Sequence, residues 1–310
     1  MNHGVAVTIL SSGVALAVPL LWAAIGEVIN EKAGILNVGI DGVMLTGAFV
    51  AALILHDTGS LLLAALVAIP AGALCGLFLS FLYVKRGTDQ IVTGLMFNLF
   101  IVGVTTALYE KYLTSSERSK SLSEVGIPLL KDIPIIGPAL FDQTVLVYIV
   151  IVAAIAVAYL LRGTWFGLHL AAIGERPLAG DTAGLDVRRL RSIALVIGCS
   201  LVAVGGASII VTQGGNFQPN ITSGQGFIAL AIVVLGRFRP GWIAFGALLF
   251  GVSTALQYQA QNVSWMASVP VQVWLAFPYI VTIVAVVIAK RAQYPAATAI
   301  PYREPGTERS

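Results

Sequence analysis

One carboxylate stands apart in this sequence. Asp41 lies in Asn37-Val-Gly-Ile-Asp-Gly42, directly before the uncharged run 42–56. Were that run to cross a membrane, an ionisable group at its edge would be costly and, as a rule, functional, taking up a proton or pairing an ion. The other chemistry is structural. A short acidic side chain flanked by Gly39 and Gly42 can accept from free backbone N–H groups and cap the helix that follows. The residues leave both open. Polar and Gly residues recur from Gly26 to Phe49, and non-helical backbone at membrane depth survives only where protein buries it or it lines a wet cavity. A broken helix is therefore expected between Gly34 and Gly42.

Neutral hydrogen-bonding groups gather in a second segment. The run Thr212–Gly226 carries Asn216, Gln218, Asn220 and Gln225, and only about ten apolar residues follow it. A short, Gly-interrupted segment in each half of a chain is a pointer to a central pathway, and Gly34–Ala48 and Gly214–Ala229 occupy comparable places. Asn37 and Asn98 join the same neutral set; an ordinary external loop is the plainer reading of 212–226. The third segment, Arg162–Arg191, is long and charged. Pro177 fits the first position of a short helix, Gly184 its C-terminal stop near Ala183, and Glu175 complements its positive end. It reads as a docking element or a solvated loop. His169 by itself is best read as an interfacial residue.

Other chemistry is absent. The dipeptide Gly-Lys never occurs, nor do HExxH or GxSxG, so neither a P-loop nor these hydrolase sites can form. Cys75 and Cys199 stand in apolar runs as packing residues, and no cofactor or metal is expected. Asn220-Ile-Thr222 and Asn262-Val-Ser264 fit a glycosylation pattern too short to carry weight. Gly72 and Gly76 are spaced for close helix packing.

The elements that must position these groups follow from composition. The 310 residues are 57% hydrophobic and 11% charged, with a mean hydropathy of +0.90. A water-facing surface cannot be assembled from so few charges. A net charge of +3 is too small and dispersed to indicate nucleic acid. Uncharged runs at 4–26, 42–56, 58–84, 90–109, 143–161, 192–236 and 240–289, the last two divided, give about nine crossings at roughly 20 residues each. Placing 162–191 on the cytoplasmic side puts fourteen of the 18 Lys and Arg residues there, as such residues distribute in membrane proteins. The N-terminus is then outside and the C-terminus inside. Residues 1–294 form one transmembrane unit and 295–310 a polar cytoplasmic tail that reads as a loose end; 113–140 is an external loop without a site. Met1–His3 supply no Lys or Arg, so no cleavable signal peptide is expected.

Gly26–Ala48, Thr88–Asn98, Gly137–Gln143, Gly174–Arg191, Gly224–Pro240, Phe277-Pro-Tyr279 and Pro301-Tyr302 together resemble the permease subunits of bacterial ATP-binding-cassette importers. The group is the one serving ribose, branched-chain amino acids and nucleosides, and the pattern is most similar to its shorter nucleoside-type permease. The resemblance implies an all-α, polytopic bundle with broken or half helices in two pseudo-repeated halves, in the bacterial inner membrane. It implies a coupling helix within Gly174, Glu175, Arg176, Pro177, Ala183 and Gly184 that enters a groove of a cytoplasmic ATPase. It also implies a second homologous permease subunit and an extracytoplasmic substrate-binding lipoprotein, with ATP hydrolysed by the partner chain. Asn37, Asp41, Asn98, Asn216, Gln218 and Gln225 are the expected pathway. Two residues depart from relatives: Asp41 stands where they usually carry Glu, and Ala171 where they often carry Arg. A sugar importer, or an ion-coupled transporter using Asp41, are the competing functions.

Overall fold

The computed structural model describes residues 3–113, 124–126, 142–212, 215–260, 269–288 and 294–302. Among these the chain forms eleven helices: α1 (His3–Lys32), α2 (Ile40–Thr58), α3 (Leu61–Ser80), α4 (Gln90–Tyr112), α5 (Val145–Gly163), α6 (Trp165–Glu175), α7 (Pro177–Thr182), α8 (Val187–Thr212), α9 (Gln225–Leu235), α10 (Pro240–Gln259) and α11 (Val271–Ile288). A π-helical turn, Phe81–Lys85, extends α3. Seven helices are long and apolar enough to cross a membrane. With the shorter α9 and α11 they match the expected count of about nine.

Burial sorts these crossings into two layers. In α1, α2 and α8 the most apolar stretch is 72%, 67% and 72% buried, against 22%, 28% and 22% in α3, α4 and α5. α1, α2 and α8 form the core, while α3 and α5, apolar all round, can face lipid as membrane spans do. The outer helices turn residues such as Leu62, Leu74, Leu99 and Ile155 outward, where lipid can cover them. Small residues bring the layers together. Gly72 and Gly76 of α3 lie directly against the α8 backbone at Leu195–Ser200, the close approach their spacing anticipates.

Two boundaries differ from the sequence reading. The charge-free run ends at Gly26, but α1 continues through Glu27 and Glu31, both 0% exposed, to Lys32. Charge ended the predicted span, whereas the helix goes on because protein, not lipid, surrounds those carboxylates. The loose tail is the second. Ala297 N donates to Gly174 O at 2.9 Å, and Ala296 N to Glu175 Oε2 at 3.3 Å. Arg191, 2% exposed, donates from Nε to Ala33 O and from Nη1 to Ile300 O, each at 3.1 Å. One buried guanidinium thus ties the chain after 294 to the end of α1 by answering the Ala33 and Ile300 carbonyls. Residues 303–310 lie outside the described residues, as do most of the 113–140 loop and the 262–264 glycosylation pattern. Within that loop Glu124–Gly126 pairs antiparallel with Asp142–Thr144, a feature its composition does not announce.

Candidate functional site

The backbone between α1 and α2 is irregular, as expected, and its polar groups are met by buried side chains. Leu36 N donates to Gln90 Oε1 at 2.8 Å, and Asn37 N to Glu27 Oε1 at 2.9 Å. Asn98 serves both sides of the break: its Oδ1 accepts from Gly42 N at 2.8 Å, and its Nδ2 donates to Val38 O at 2.9 Å. Glu27 Oε2 accepts from Asn30 Nδ2 at 2.8 Å. Such irregular backbone persists where protein groups answer it, although the buried Asn30 Oδ1, Asn37 Oδ1 and both Glu31 carboxylate oxygens find no hydrogen-bond partner among the described residues. Asn37 and Asn98 are 0% and 8% exposed, and Asn98 has both ends of its amide engaged in holding this backbone.

Asp41 caps a helix, but not the one that follows it. Its Oδ1 accepts from Gly226 N at 3.0 Å and its Oδ2 from Thr222 Oγ1 at 3.1 Å. Gly226 is the second residue of α9, whose own N-cap position, Gly224, offers no side chain. The carboxylate comes from α2 to answer orphan donors at the positive end of α9. Gly226 allows the approach, since a Cβ there would lie 2.6 Å from the Asp41 Cα and N. With 11 residues, α9 is about 17 Å long, roughly half the hydrocarbon thickness. The other half of this crossing is the irregular run 215–224. Phe217 anchors it between Phe49 and Tyr109, with ring centroids at 5.4 and 5.8 Å. The two interrupted segments therefore meet, at Asp41 and Gly226.

Beside that junction opens a cleft of about 580 Å³, lined by residues including Ser12, Thr212, Ser223, Gln225, Thr254, Gln257, Tyr258 and Tyr279, with Phe250 and Pro19. None of its described lining residues is charged. It lies toward the Thr212 end of α8. At the Arg191 end, α6 and α7 project as a pair. Arg176, exposed, breaks between them with φ −143° and ψ 81°; Pro177 opens α7, and Ala183 closes it. Gly184 N donates to Asp181 O at 2.9 Å and Leu185 N to Gly180 O at 3.0 Å, with Gly184 at φ +86°. That is the left-handed stop its position anticipates. Gly174 is buried against the end of α1, whereas Glu175 is exposed.

A family profile described as branched-chain amino acid transport system / permease component matches residues 9–286. The chain belongs to this permease family. It is 33% identical over 300 residues to the guanosine ABC transporter permease protein NupQ of Bacillus subtilis, covering 92% of this chain and 93% of the relative. To the nucleoside ABC transporter permease protein NupC of Lactococcus lactis it is 33% identical over 279 residues, 87% and 88% of the two chains. The putative glucose ABC transporter permease protein TsgC13 of Haloferax volcanii is 32% identical over 260 residues, 83% and 78%.

In this permease the six expected pathway residues fall in three places. Asp41 and Gln225 meet at the start of α9, and Gln225 lines the cleft. Asn37 and Asn98 belong to the buried α1–α2 break, while Asn216 and Gln218 are exposed on the 215–224 run, away from the cleft lining. Sequence reasoning missed Thr254, Gln257 and Tyr258, though a signal was present. They recur at i, i+3 and i+4 on an otherwise apolar helix and therefore share one face. Glu27 and Gln90 were missed too, because each stands where an uncharged run begins or ends.

Proposed function

We propose that this permease is the membrane subunit of an ATP-driven importer of nucleosides. It forms half of the translocation pathway with a second, homologous permease, receives substrate from an extracytoplasmic binding lipoprotein, and couples to a separate cytoplasmic ATPase. The observation that carries the substrate class is the uncharged cleft beside an α9 terminus already filled by Asp41. A zwitterionic amino acid leaves water at large cost unless both its charges find partners, and the cleft offers none. A neutral, hydroxyl-rich solute can bond to Ser12, Thr254, Gln225 and Gln257. The rings of Phe250, Tyr258 and Tyr279 add flat apolar surface suited to a nucleobase and of less use to glucose. NupQ and NupC support the same reading. Asp41, with both oxygens engaged, has no place in it as an ion-coupling group.

Uptake by the assembled importer, in competition, tests the assignment. Unlabelled nucleosides should abolish uptake of labelled guanosine, whereas leucine and glucose should leave it unchanged. Gln257→Leu should lower uptake about five- to tenfold, the worth of one hydrogen bond of roughly 1 kcal/mol. Competition by glucose alone would move the substrate class to sugars.

The coupling role rests on α7 and its flanks. In this orientation the Arg191 end of the bundle faces the cytoplasm and presents Glu175, Arg176, Ala183 and Gly184 to the ATPase. Proline at 184 cannot adopt a positive φ and removes an N–H donor. Gly184→Pro is therefore expected to insert and bind its partners yet lose both uptake and substrate-stimulated ATP hydrolysis. Normal uptake in that variant would place the coupling contact elsewhere.

A further inference from the structure

A second cleft, of about 330 Å³, lies at the Arg191 end, and its charge is one-sided. Among the described residues Lys32, Arg162, Arg237 and Arg239 line it against a single carboxylate, Glu175. Each cation comes from a place where a crossing stops or starts: Lys32 ends α1, Arg162 lies in the last turn of α5, and Arg237 and Arg239 form the turn from α9 to α10. No ion pair among the described residues involves any of the four. Glu175 is itself engaged with Ala296 N. The turn is held in an unusual shape, with Arg237 at φ 51° and Phe238 at φ 57°. Phe238 is 5% exposed beneath Lys32, whose Nζ is 5.7 Å from its ring centroid. Burying Phe238 leaves Arg237 and Arg239 exposed, and strain of this kind collects where backbone conformation is put to use.

The surroundings identify the depth. Trp165, 76% exposed, begins α6, and Trp242, 59% exposed, lies in the first turn of α10 beside Phe245. Exposed indoles of this kind occupy the headgroup level of a bilayer. From the cleft, α5 runs into the membrane with Ile151, Ile155 and Tyr159 exposed, a surface that acyl chains can follow. Basic pockets between crossings at such a boundary suit phosphate headgroups, and arginine matches phosphate in a two-pronged geometry.

The geometry points to a binding site for an anionic phospholipid, its phosphate among Lys32, Arg162, Arg237 and Arg239 and its chains along α5. The site is separate from the solute cleft and adjoins the α6–α7 pair through Gly167, Ala171 and Glu175. Bound lipid there neutralises the cleft and braces the base of the coupling segment.

The test titrates the full-length permease in detergent with phosphatidylglycerol or phosphatidylcholine, reading bound lipid by native mass spectrometry. Phosphatidylglycerol should bind more tightly by about tenfold or more. Arg162→Gln combined with Arg239→Gln should remove that preference, while Arg86→Gln, a basic residue at the end of α3, should keep it. Equal affinity for the two lipids, or an unchanged preference in the double variant, would overturn the proposal. Displacement of the lipid by inorganic phosphate alone would show a free-anion site instead. Retained lipid preference with loss of ATPase co-purification in the double variant would assign the surface to the partner protein.

Discussion

Asp41→Leu should leave almost no functional transporter, and Asp41→Asn should leave one close to the parent. Leucine strands the Gly226 N–H and the Thr222 hydroxyl in a buried junction. Each unanswered group costs about 1–3 kcal/mol, a substantial share of the roughly 5–15 kcal/mol that holds a domain together. Asparagine keeps an acceptor toward Gly226 N, and its amide can donate to the Thr222 oxygen. It gives up only the attraction between a negative charge and the α9 terminus, about 0.3–1 kcal/mol and up to roughly 2 when partly buried. The measurement is ATP-driven uptake against pH in vesicles without an ion gradient, alongside the yield of monodisperse protein. The parent and Asp41→Asn should give profiles of the same shape. A folded but inactive Asp41→Asn, with a parent that needs a proton gradient, would falsify the importer assignment and make Asp41 a coupling group.

Gly206→Val is expected to be the most damaging change within the core. A Cβ on Gly206 would run into the carbonyl oxygen of Met44, and one on Gly47 into that of Ala203. α2 and α8 thus touch backbone to backbone at two reciprocal points. Overpacking typically costs about 1–3 kcal/mol where side chains can yield; a carbonyl in a helix cannot rotate away, so the helices must separate. That separation would also shift the register of Asp41 against α9. The extractable, monodisperse fraction should collapse for Gly206→Val and fall partway for Gly206→Ala. Gly103→Val, on α4 with nothing within 4 Å of its added Cβ, should match the parent. Parent-like yield from Gly206→Val would show that the two helices are not in backbone contact.

The sequence discloses most of the crossings, because roughly 20 apolar residues in a row have few other uses. It discloses the stop at Gly184 as well, since proline and glycine at the two ends of a short helix act through local backbone geometry. It fails where meaning depends on a partner distant in the chain. Asp41 reads as a cap from its neighbours, yet the helix residue whose N–H it answers, Gly226, lies 185 residues later. Glu27 reads as the end of a span because a charge marks it so. Its partners are near in sequence, Asn30 and the Asn37 backbone N–H, but residue type does not announce the irregular backbone that turns the second back to it. Asn37, Asn98 and Gln225 are alike as residue types; only packing separates Asn98, whose amide holds backbone, and Asn37, whose amide meets Cys199 Sγ, from Gln225, which faces the cleft. The polar face of α10 follows from helical periodicity, but Gln257 and Tyr258 also open the polar stretch that divides the long apolar run 240–289.

The junction between Asp41 and Gly226 also sets an order of assembly. The two residues are separated by 185 positions, and synthesis proceeds at roughly 5–20 residues per second. For something like ten to forty seconds after α2 leaves the ribosome, the helix that answers its carboxylate does not yet exist. Through that interval Asp41 must be kept near lipid headgroups or shielded by the insertion machinery, with α2 not yet at its final depth. Arrival of α9 both completes its own half-crossing and lets α2 settle. The last third of the chain thus completes the first, and a product truncated before Gly226 lacks the N–H that answers Asp41.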